Sequence, residues 1–216
     1  MPRIALFPLN TVLFPYALLP LRIFEERYKT MINRCIDGQA PFGVVLIRSG
    51  VEVGGAAEPH DVGTTARISR VQRLQDGRMN LIALGEQRFR IVALDTTEAY
   101  LQGDVEFVGS EDAGTADAID GAARVAALFG EQFRLKLSAT GQWARTLDLP
   151  SDADALAYFV AGQLDVPAGA KQSLLETVSV PERLRREAEI LGDSIRQLTE
   201  RWEERRREKY AGGALN

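Results

Sequence analysis

The sequence predicts an α+β protein in which an antiparallel, partly closed β-barrel is followed by an α-helical bundle. Residues 1–110 contain several short strand patterns that are adjacent along the chain, with one helix between the second and the third. The polar segment Gly109–Thr115, GSEDAGT, ends this part. Beyond it, apolar residues recur at helical spacing. We therefore predict a β-barrel domain at residues 1–110 and a helical domain at residues 111–216.

Most strands of the predicted barrel are marked by their side-chain pattern. Phe42–Ile47, FGVVLI, is a continuous apolar run of strand length, which predicts a strand buried on both faces. From Val62 onward polar and apolar residues alternate, and the alternation slips near Val71, which indicates a β-bulge. Asp76 and Gly77 form the strongest hairpin signal in the chain. The other predicted elements are strands at Arg3–Phe7, after Gly85 and at Leu101–Phe107, a helix at Ile23–Ile36, and an exposed loop at Arg48–Asp61.

The stretch Pro8–Tyr28, PLNTVLFPYALLPLRIFEERY, is predicted to wrap over the barrel. Pro15 and Pro20 each fix φ and remove a backbone donor, which excludes a central strand position. Because apolar residues surround both prolines, the pattern predicts an edge strand or an extended loop whose apolar side chains lie on a sheet.

The part after residue 115 is predicted to be helical throughout. Ser151 with Asp154 resembles a helix N-cap, and Ser179 with Glu182 forms an S-x-x-E capping box ahead of the longest helix. In that last helix, apolar residues recur at alternating spacings of four and three, which is typical of a helix-packing seam. Such a seam serves packing within the bundle and association between copies equally well. Its members are Leu184, Ala188, Leu191, Ile195, Leu198 and Trp202.

Three landmarks, in order along the chain, resemble one known family. The proline-rich stretch Pro8–Tyr28, the strand, DG-turn and Gly-x-x-Arg segment Val62–Leu94, and the helical passage Lys171–Leu191 are each similar to the amino-terminal, substrate-binding domain of Lon proteases. The resemblance implies a PUA-like antiparallel β pseudo-barrel, a helical bundle with a long C-terminal helix, and recognition of polypeptide. Lon proteases also have an ATPase module and a Ser-Lys peptidase module. Neither is visible in these 216 residues, so we expect a stand-alone form.

Composition and charge favour a cytoplasmic protein without membrane or nucleic-acid partners. Hydrophobic residues make up 45% of the chain, yet no apolar run approaches the roughly 18 residues of a membrane span. Met1–Leu21 lacks the features of a signal peptide. The single cysteine, Cys35, forms no internal disulfide and is expected as a small apolar residue on a helix face. Residues 1–110 hold twelve basic and twelve acidic residues, which argues against a large phosphate-binding footprint.

The sequence indicates neither catalysis nor a cofactor. None of the lysines follows a glycine, so the phosphate-binding GxxxxGK[ST] loop is absent, and no serine lies in a G-x-S-x-G elbow. The lone histidine, His60, is expected at the surface and argues against a Ser-His-Asp triad or a multi-histidine metal site. Adjacent carboxylates such as Glu25 and Glu26 are expected at a helix start, where the helix dipole favours anions.

We therefore expect a non-catalytic protein that binds unfolded or hydrophobic polypeptide segments in protein quality control. Such a binder needs exposed apolar surface or a free strand edge beside polar residues, and the opening stretch supplies such a surface. The resemblance implies a proteolytic machine as a further partner, and the C-terminal helix allows an oligomer. The expected peptide contacts are Phe14, Tyr16, Leu18 and Leu19, with Glu25, Glu26 and Arg27 as a charged rim.

Two other function classes stay open from the sequence. PUA-like barrels also occur in RNA-binding proteins, and a small molecule inside the barrel is a further alternative. Arginines that alternate with apolar residues are equally typical of any half-exposed strand. The RNA footprint would consist of Arg67, Arg70, Arg73, Arg88 and Arg90.

Overall fold

The computed structural model describes residues 1–55, 57–139 and 147–212, without the side chains of residues 139 and 205–212. The chain forms two compact units. The first, here called the β unit, comprises Met1–Glu111 and Ala161–Val178, and the second, the helical unit, comprises Asp112–Val160 and the residues from Ser179 onward. The domain boundary at residue 110 stays a prediction. Residues 161–178, although they follow part of the helical unit in the chain, belong to the same compact unit as the strands.

The six strands of the described chain form one sheet that is mostly antiparallel. Their order is β2-β5-β4-β3-β1-β6, and β6 also pairs with β5, so five strands close on themselves while β2 stands outside the ring. Only the β1–β3 pair is parallel among these strands. This architecture confirms the predicted α+β class with a pseudo-barrel. The strands are β1 (Arg3–Leu9), β2 (Leu18–Ile23), β3 (Phe42–Gly50), β4 (Ala57–Arg73), β5 (Met79–Asp95) and β6 (Gln102–Phe107), with helix α1 (Glu26–Asp37) between β2 and β3.

Strand pairing extends further than the local sequence pattern indicates. Ser49 pairs with Glu58, so both strands run into the segment Arg48–Asp61. The prediction of an exposed loop over that whole segment is therefore wrong in its bounds. β5 continues through Gly85, where the sequence suggests a break between two strands. In both places cross-strand hydrogen bonding prevails over the low strand propensity of glycine and proline. A register shift between Ile68 and Arg70 confirms the bulge expected near Val71.

Helix α1 closes the core of the β unit. It buries Tyr28, Met31, Ile32 and Cys35 on one face, and these side chains pack with apolar residues of β2, β4 and β5. Burial raises the pKa of the Cys35 thiol to about 11, so the thiol is uncharged at neutral pH. The prediction that Cys35 acts as a small apolar residue is confirmed.

The ribbon, which we define as Leu13–Ala17, crosses β4 and β5 before β2 begins. The Thr64 hydroxyl donates to the Leu13 carbonyl at 2.6 Å, and the Tyr16 N–H donates to the Gly85 carbonyl at 2.8 Å. A Cβ atom at Gly85 would lie 2.3 Å from the Phe14 carbonyl oxygen, closer than any real contact. The absence of a side chain at Gly85 therefore lets the ribbon lie directly on β5.

A buried arginine joins β5 to the returning segment of the β unit. Arg88 is 2% exposed, and its guanidinium donates to the carbonyls of Gly109 at 2.6 Å and of Leu175 and Thr177 at 2.8 Å each. Leu175 belongs to α4 (Ala168–Glu176). The amide of Gln172 in the same helix donates to the Val62 carbonyl of β4 at 2.9 Å. These bonds fix α4 against the strands and satisfy carbonyls that would otherwise be buried without a partner.

The helical unit contains α2 (Ala116–Ala139), the start of α3 (Ala153–Gln163) and α5 (Val180–Gly212). α2 packs along α5, where the Gln132 amide donates to the Ser194 hydroxyl at 2.7 Å. The long C-terminal helix is thus confirmed. Asp152, rather than the predicted Ser151, caps α3 by accepting from the Ala155 N–H. Along the predicted seam burial declines from Leu184, Ala188 and Leu191 to the exposed Trp202.

The interior of the helical unit holds a charged cluster. Arg183 is fully buried, donates to Asp154 at 2.8 Å and stacks 4.1 Å over the Tyr158 ring. One turn later Glu187 is also fully buried, and neither of its carboxylate oxygens has a hydrogen-bond partner within the described part of the chain. Burial raises the pKa of Glu187 well above its ordinary value, and the charge of Arg183 offsets this only partly.

We expect the Arg88→Met substitution to lower the free energy of unfolding of the β unit by about 3 kcal/mol or more, because several buried carbonyls lose their donor. Urea unfolding followed by circular dichroism measures this. Arg90→Met, at an exposed position of the same strand, is the matched control and is expected to stay within about 0.5 kcal/mol of the wild type. Equal stability of the two variants would contradict the structural role of Arg88.

We expect Glu187→Gln to stabilise the protein at pH above the ordinary carboxyl range. The folded state holds the Glu187 proton more tightly than the unfolded state does, so the free energy of unfolding falls as pH rises from the unfolded pKa towards the raised folded pKa. The variant should lack this fall, and its advantage should vanish at acid pH. Urea titrations at several pH values measure it, with the exposed Glu200→Gln as control. Parallel pH profiles for wild type and Glu187→Gln would contradict the assignment.

Candidate functional site

The candidate site lies at the one strand of the sheet that stands outside the closed ring. Among the described residues β2 has a single strand partner, β5, so one side of β2 is a free edge. Pro20 lies in the middle of this strand, as the sequence predicts for an edge position. A free strand edge offers unpaired backbone donors and acceptors to another extended chain.

The hydrogen bonds at the start of β2 show which residues face the free edge. Gly85 donates its N–H to the Ala17 carbonyl at 2.9 Å, so residues 19, 21 and 23 face β5 by the alternation of an antiparallel ladder. Ile82 lies opposite Pro20, and its carbonyl accepts from the Ser69 hydroxyl of β4, on the side of β5 away from β2. This agrees with the alternation, because Ile82 does not bond to β2. The N–H groups of Leu18 and Arg22 therefore point to the free edge. Pro20, which has no N–H, lies between them.

The solvent-facing side of β2, β5 and β4 forms three cross-strand rows. The first row contains Leu18, Leu84 and Arg67, the second Pro20, Ile82 and Arg70, and the third Arg22, Asn80 and Gln72. The residues between them point inward to the core. An open groove of about 620 Å³, which we call the β2 groove, lies along the second and third rows. Its lining residues are Pro20, Leu21, Arg22, Arg70, Val71, Gln72, Asn80, Leu81 and Ile82.

The structure divides the predicted apolar contacts between surface and interior. Tyr16 is 64% exposed and Leu18 is 65% exposed, and both stand at the beginning of β2. Leu19 points inward and is half-buried. Phe14 is 1% exposed, so the structure corrects its expected place at the surface. The apolar run alone could not separate these cases, because the chain turns between Phe14 and Leu18.

Tyr16 has an unusual backbone conformation for a residue with a large side chain. Its φ is 65°, in the left-handed region that favours glycine, and it follows the buried Pro15. Such a conformation costs on the order of 1 kcal/mol, and residues of this kind cluster at ligand-binding sites. The turn holds an aromatic ring in solvent beside the free edge.

The predicted charged rim lies at the other end of β2 and is occupied by internal contacts. Glu25 accepts from Arg27 at 3.1 Å and from the Gly54 N–H at 3.3 Å, and Arg27 also donates to the Gly55 carbonyl at 3.0 Å. Glu26 is exposed and binds Lys29 at 2.8 Å. The six residues of β2 put about 20 Å between this cluster and Tyr16. The structure thus separates Glu25, Glu26 and Arg27 from the apolar contacts.

The arginines that the RNA alternative requires do not form one surface. Arg88 is buried against carbonyls, and Arg67 binds Glu86 at 2.6 Å. Arg73 lies beside the Met79 sulfur at 3.5 Å. Arg70 is in the β2 groove, whereas Arg90 is exposed at the opposite end of β5. These placements do not favour the RNA alternative.

No group of three or more His, Cys, Asp or Glu side chains in the described part of the chain could hold a metal ion. His60 keeps 27% of its side chain exposed, which agrees with its expected surface position, and its Nδ1 lies 3.6 Å from a Glu176 carboxylate oxygen. No helix among the described residues combines the length and the apolar character that crossing a membrane requires.

Sequence reasoning missed the residues of β5 and β4 that complete the groove. Asn80 and Ile82 belong to the hairpin strand that the DG signal predicts, and the sequence indicates Arg70 of β4 only as part of an RNA footprint. The alternation of side chains in β5 indicates which of its residues share a face. It does not indicate that β2 joins β5 rather than another strand, so the rows could not be derived from the sequence.

The comparisons with known proteins agree with this fold. A family model described as the ATP-dependent protease La (LON) substrate-binding domain matches residues 3–193. The Lon protease of Paraburkholderia phytofirmans is 33% identical over 200 residues, which cover 91% of this chain and 25% of that protein. Lon protease 2 of Herpetosiphon aurantiacus is 32% identical over 191 residues, which cover 87% of this chain and 23% of that protein. The chain thus spans about a quarter of the length of these relatives.

Two solved structures share the architecture. A Lon N-terminal domain protein from Xanthomonas campestris superposes with a TM-score of 0.63 at 25% identity, covering 86% of this chain and 96% of that one. The N-terminal domain of a Mycobacterium avium complex Lon protease gives a TM-score of 0.68 at 21% identity, covering 89% and 99%, and this likeness concerns the fold alone. Because the family model matches nearly the whole chain, the chain belongs to the Lon substrate-binding domain family.

Proposed function

We propose that this protein binds unfolded or hydrophobic polypeptide segments along β2, without catalysis, in protein quality control. The observation that carries the proposal is a free strand edge bordered by exposed apolar side chains and by an open groove. An extended segment can hydrogen-bond to such an edge while alternate side chains enter the neighbouring groove. Membership in a family named for substrate binding supports the same function. We further propose a cytoplasmic location, from the composition, and a proteolytic machine as a partner, from the likeness to Lon proteases.

The proposed contact set is narrower than the one expected from the sequence. It keeps Tyr16 and Leu18, which are exposed beside the edge, and adds the groove-lining Pro20 and Ile82. Leu19 acts indirectly, because its backbone faces β5 and its side chain packs in the core, which holds β2 in register. Glu25 and Arg27 act indirectly, because their bonds to residues 52–55 fix the chain where β2 meets α1.

Binding itself is tested by titrating the protein with a reduced, carbamidomethylated and therefore permanently unfolded polypeptide, and in parallel with an RNA oligomer, at low and high salt. We expect saturable polypeptide binding that changes little with salt, because apolar contacts and backbone hydrogen bonds dominate. Saturable binding of RNA alone, with a steep salt dependence, would rule the proposal out.

Tyr16→Gly separates binding from stability at the same position. Glycine adopts the left-handed conformation without strain, so we expect the free energy of unfolding to stay within about 1 kcal/mol of the wild type. The aromatic contact is lost, and we expect affinity for the unfolded polypeptide to fall by about fivefold or more. Fluorescence anisotropy and urea unfolding measure the two quantities.

Leu18→Ser is expected to weaken binding in the same way. Val92→Ser is its matched control, since Val92 is also an exposed apolar residue on a strand, at 50% against 65% for Leu18, but lies at the far end of β5. If the Leu18 and Val92 variants bound the unfolded polypeptide equally well, the surface beside β2 would not be the binding site.

A further inference from the structure

We propose that the β2 groove selects extended polypeptide segments that carry an apolar side chain and, two residues further on and therefore on the same face, a carboxylate, with Arg22 and Arg70 binding the carboxylate. The inference rests on the proposed function, because it specifies which polypeptides the same surface takes. It is carried by the distribution of charge within the groove and by the register of the strands that line it.

The groove carries positive charge that the described part of the protein does not neutralise. Arg22 and Arg70 line it, and neither guanidinium group forms a hydrogen bond or an ion pair with any described residue. No aspartate or glutamate is among the lining residues. By contrast, other arginines of the β unit, such as Arg3, Arg34 and Arg67, are paired with carboxylates. The formal net charge of the whole chain is −4, so this local excess does not follow from composition.

The register places the two arginines on opposite walls of the groove. Arg22 is in β2 beside Asn80 of β5, and Arg70 is in β4 beside Ile82 of β5. The outer strands are separated by two strand spacings, about 10 Å, so both long side chains can reach over the middle strand. A carboxylate above Ile82 and Asn80 would accept from both guanidinium groups, and the planar donor pairs of arginine match a carboxylate in geometry.

The remainder of the face is suited to apolar side chains. Leu18 and Leu84 form the adjacent row, and Pro20 and Ile82 the row between it and Arg22. In an extended segment every second side chain points to the same face, about 6.6 Å apart, which equals the spacing of these rows. A segment lying along β2 thus meets apolar surface at one position and a positive charge at an alternate one.

A carboxylate fits these observations better than a nucleic-acid phosphate does. Two unpaired arginines flanked by leucine, isoleucine and proline neutralise one anionic group and leave the neighbouring positions apolar. A nucleic-acid strand carries a phosphate at each step and requires a longer basic track. The next arginine along this face, Arg67, is already bound to Glu86.

The test uses short fluorescent peptides in which leucine and glutamate take turns at every second position, with serine between them, so that both side chains point to the same face of the extended segment. In the control peptides glutamine replaces glutamate. Anisotropy titrations are made with the wild-type chain and with Arg22→Gln, Arg70→Gln and the double variant. Arg90→Gln is the matched control. Arg90 is also exposed, and its side chain is unpaired with described residues, but it lies eight residues, or about 26 Å, beyond Ile82 along β5. An RNA oligomer serves as a competitor.

We expect the glutamate peptide to bind tighter than the glutamine peptide. Each single groove variant should lose about threefold in affinity for the glutamate peptide, as solvent-exposed ion pairs do, and the double variant about tenfold. The groove variants should bind the glutamine peptide with the same affinity as the wild type does. Arg90→Gln should match the wild type in its affinity for both peptides.

The other outcomes separate this inference from the proposed function. Equal binding of both peptides, unchanged in the double variant, would overturn the selectivity and leave polypeptide binding in place. Binding of neither peptide, nor of the unfolded polypeptide, would overturn both. Displacement of the glutamate peptide by RNA at equal charge concentration would assign the two arginines to a nucleic acid and overturn the carboxylate.

Discussion

The architecture depends on the close contact between Gly85 and the ribbon. Because Gly85 has no side chain, the Phe14 carbonyl can lie where a Cβ atom would otherwise stand, and the backbone of Gly85 bonds to Tyr16 and Ala17. This contact, together with the bond from Thr64 to Leu13, aims the chain so that β2 continues along β5. An alanine at this position would push the ribbon away and take the first residues of β2 with it.

The alternation of side chains then gives β2 two roles. Its inward residues Leu19, Leu21 and Ile23 belong to the core that α1 completes, which fixes the strand in register. Its outward residues and its unpaired backbone groups stay at the surface, where Pro20 limits pairing along the edge. The core holds the inward face of β2, and β5 holds one of its two sides. Because the other side is open, β2 is suited to receiving an extended polypeptide without rearrangement of the fold.

Local features of the sequence predict the fold class and the edge strand, whereas tertiary contacts decide the site. Prolines constrain the backbone wherever they occur, so the edge position of Pro20 could be predicted from the sequence. The burial of Phe14 and Arg88 could not, since it depends on residues far away in the chain, such as Gly85 and Leu175. The role of Glu25 also escaped prediction, because its partners lie in a glycine-rich segment without any pattern.

The most direct test of polypeptide binding along β2 is hydrogen exchange of its edge amides, followed by NMR with and without the permanently unfolded polypeptide at saturation. The N–H groups of Leu18 and Arg22 point away from β5, so a bound extended segment should accept from them and slow their exchange strongly. Unchanged exchange at Leu18 and Arg22, with new protection on the helical unit or at the far end of β5, would contradict the account.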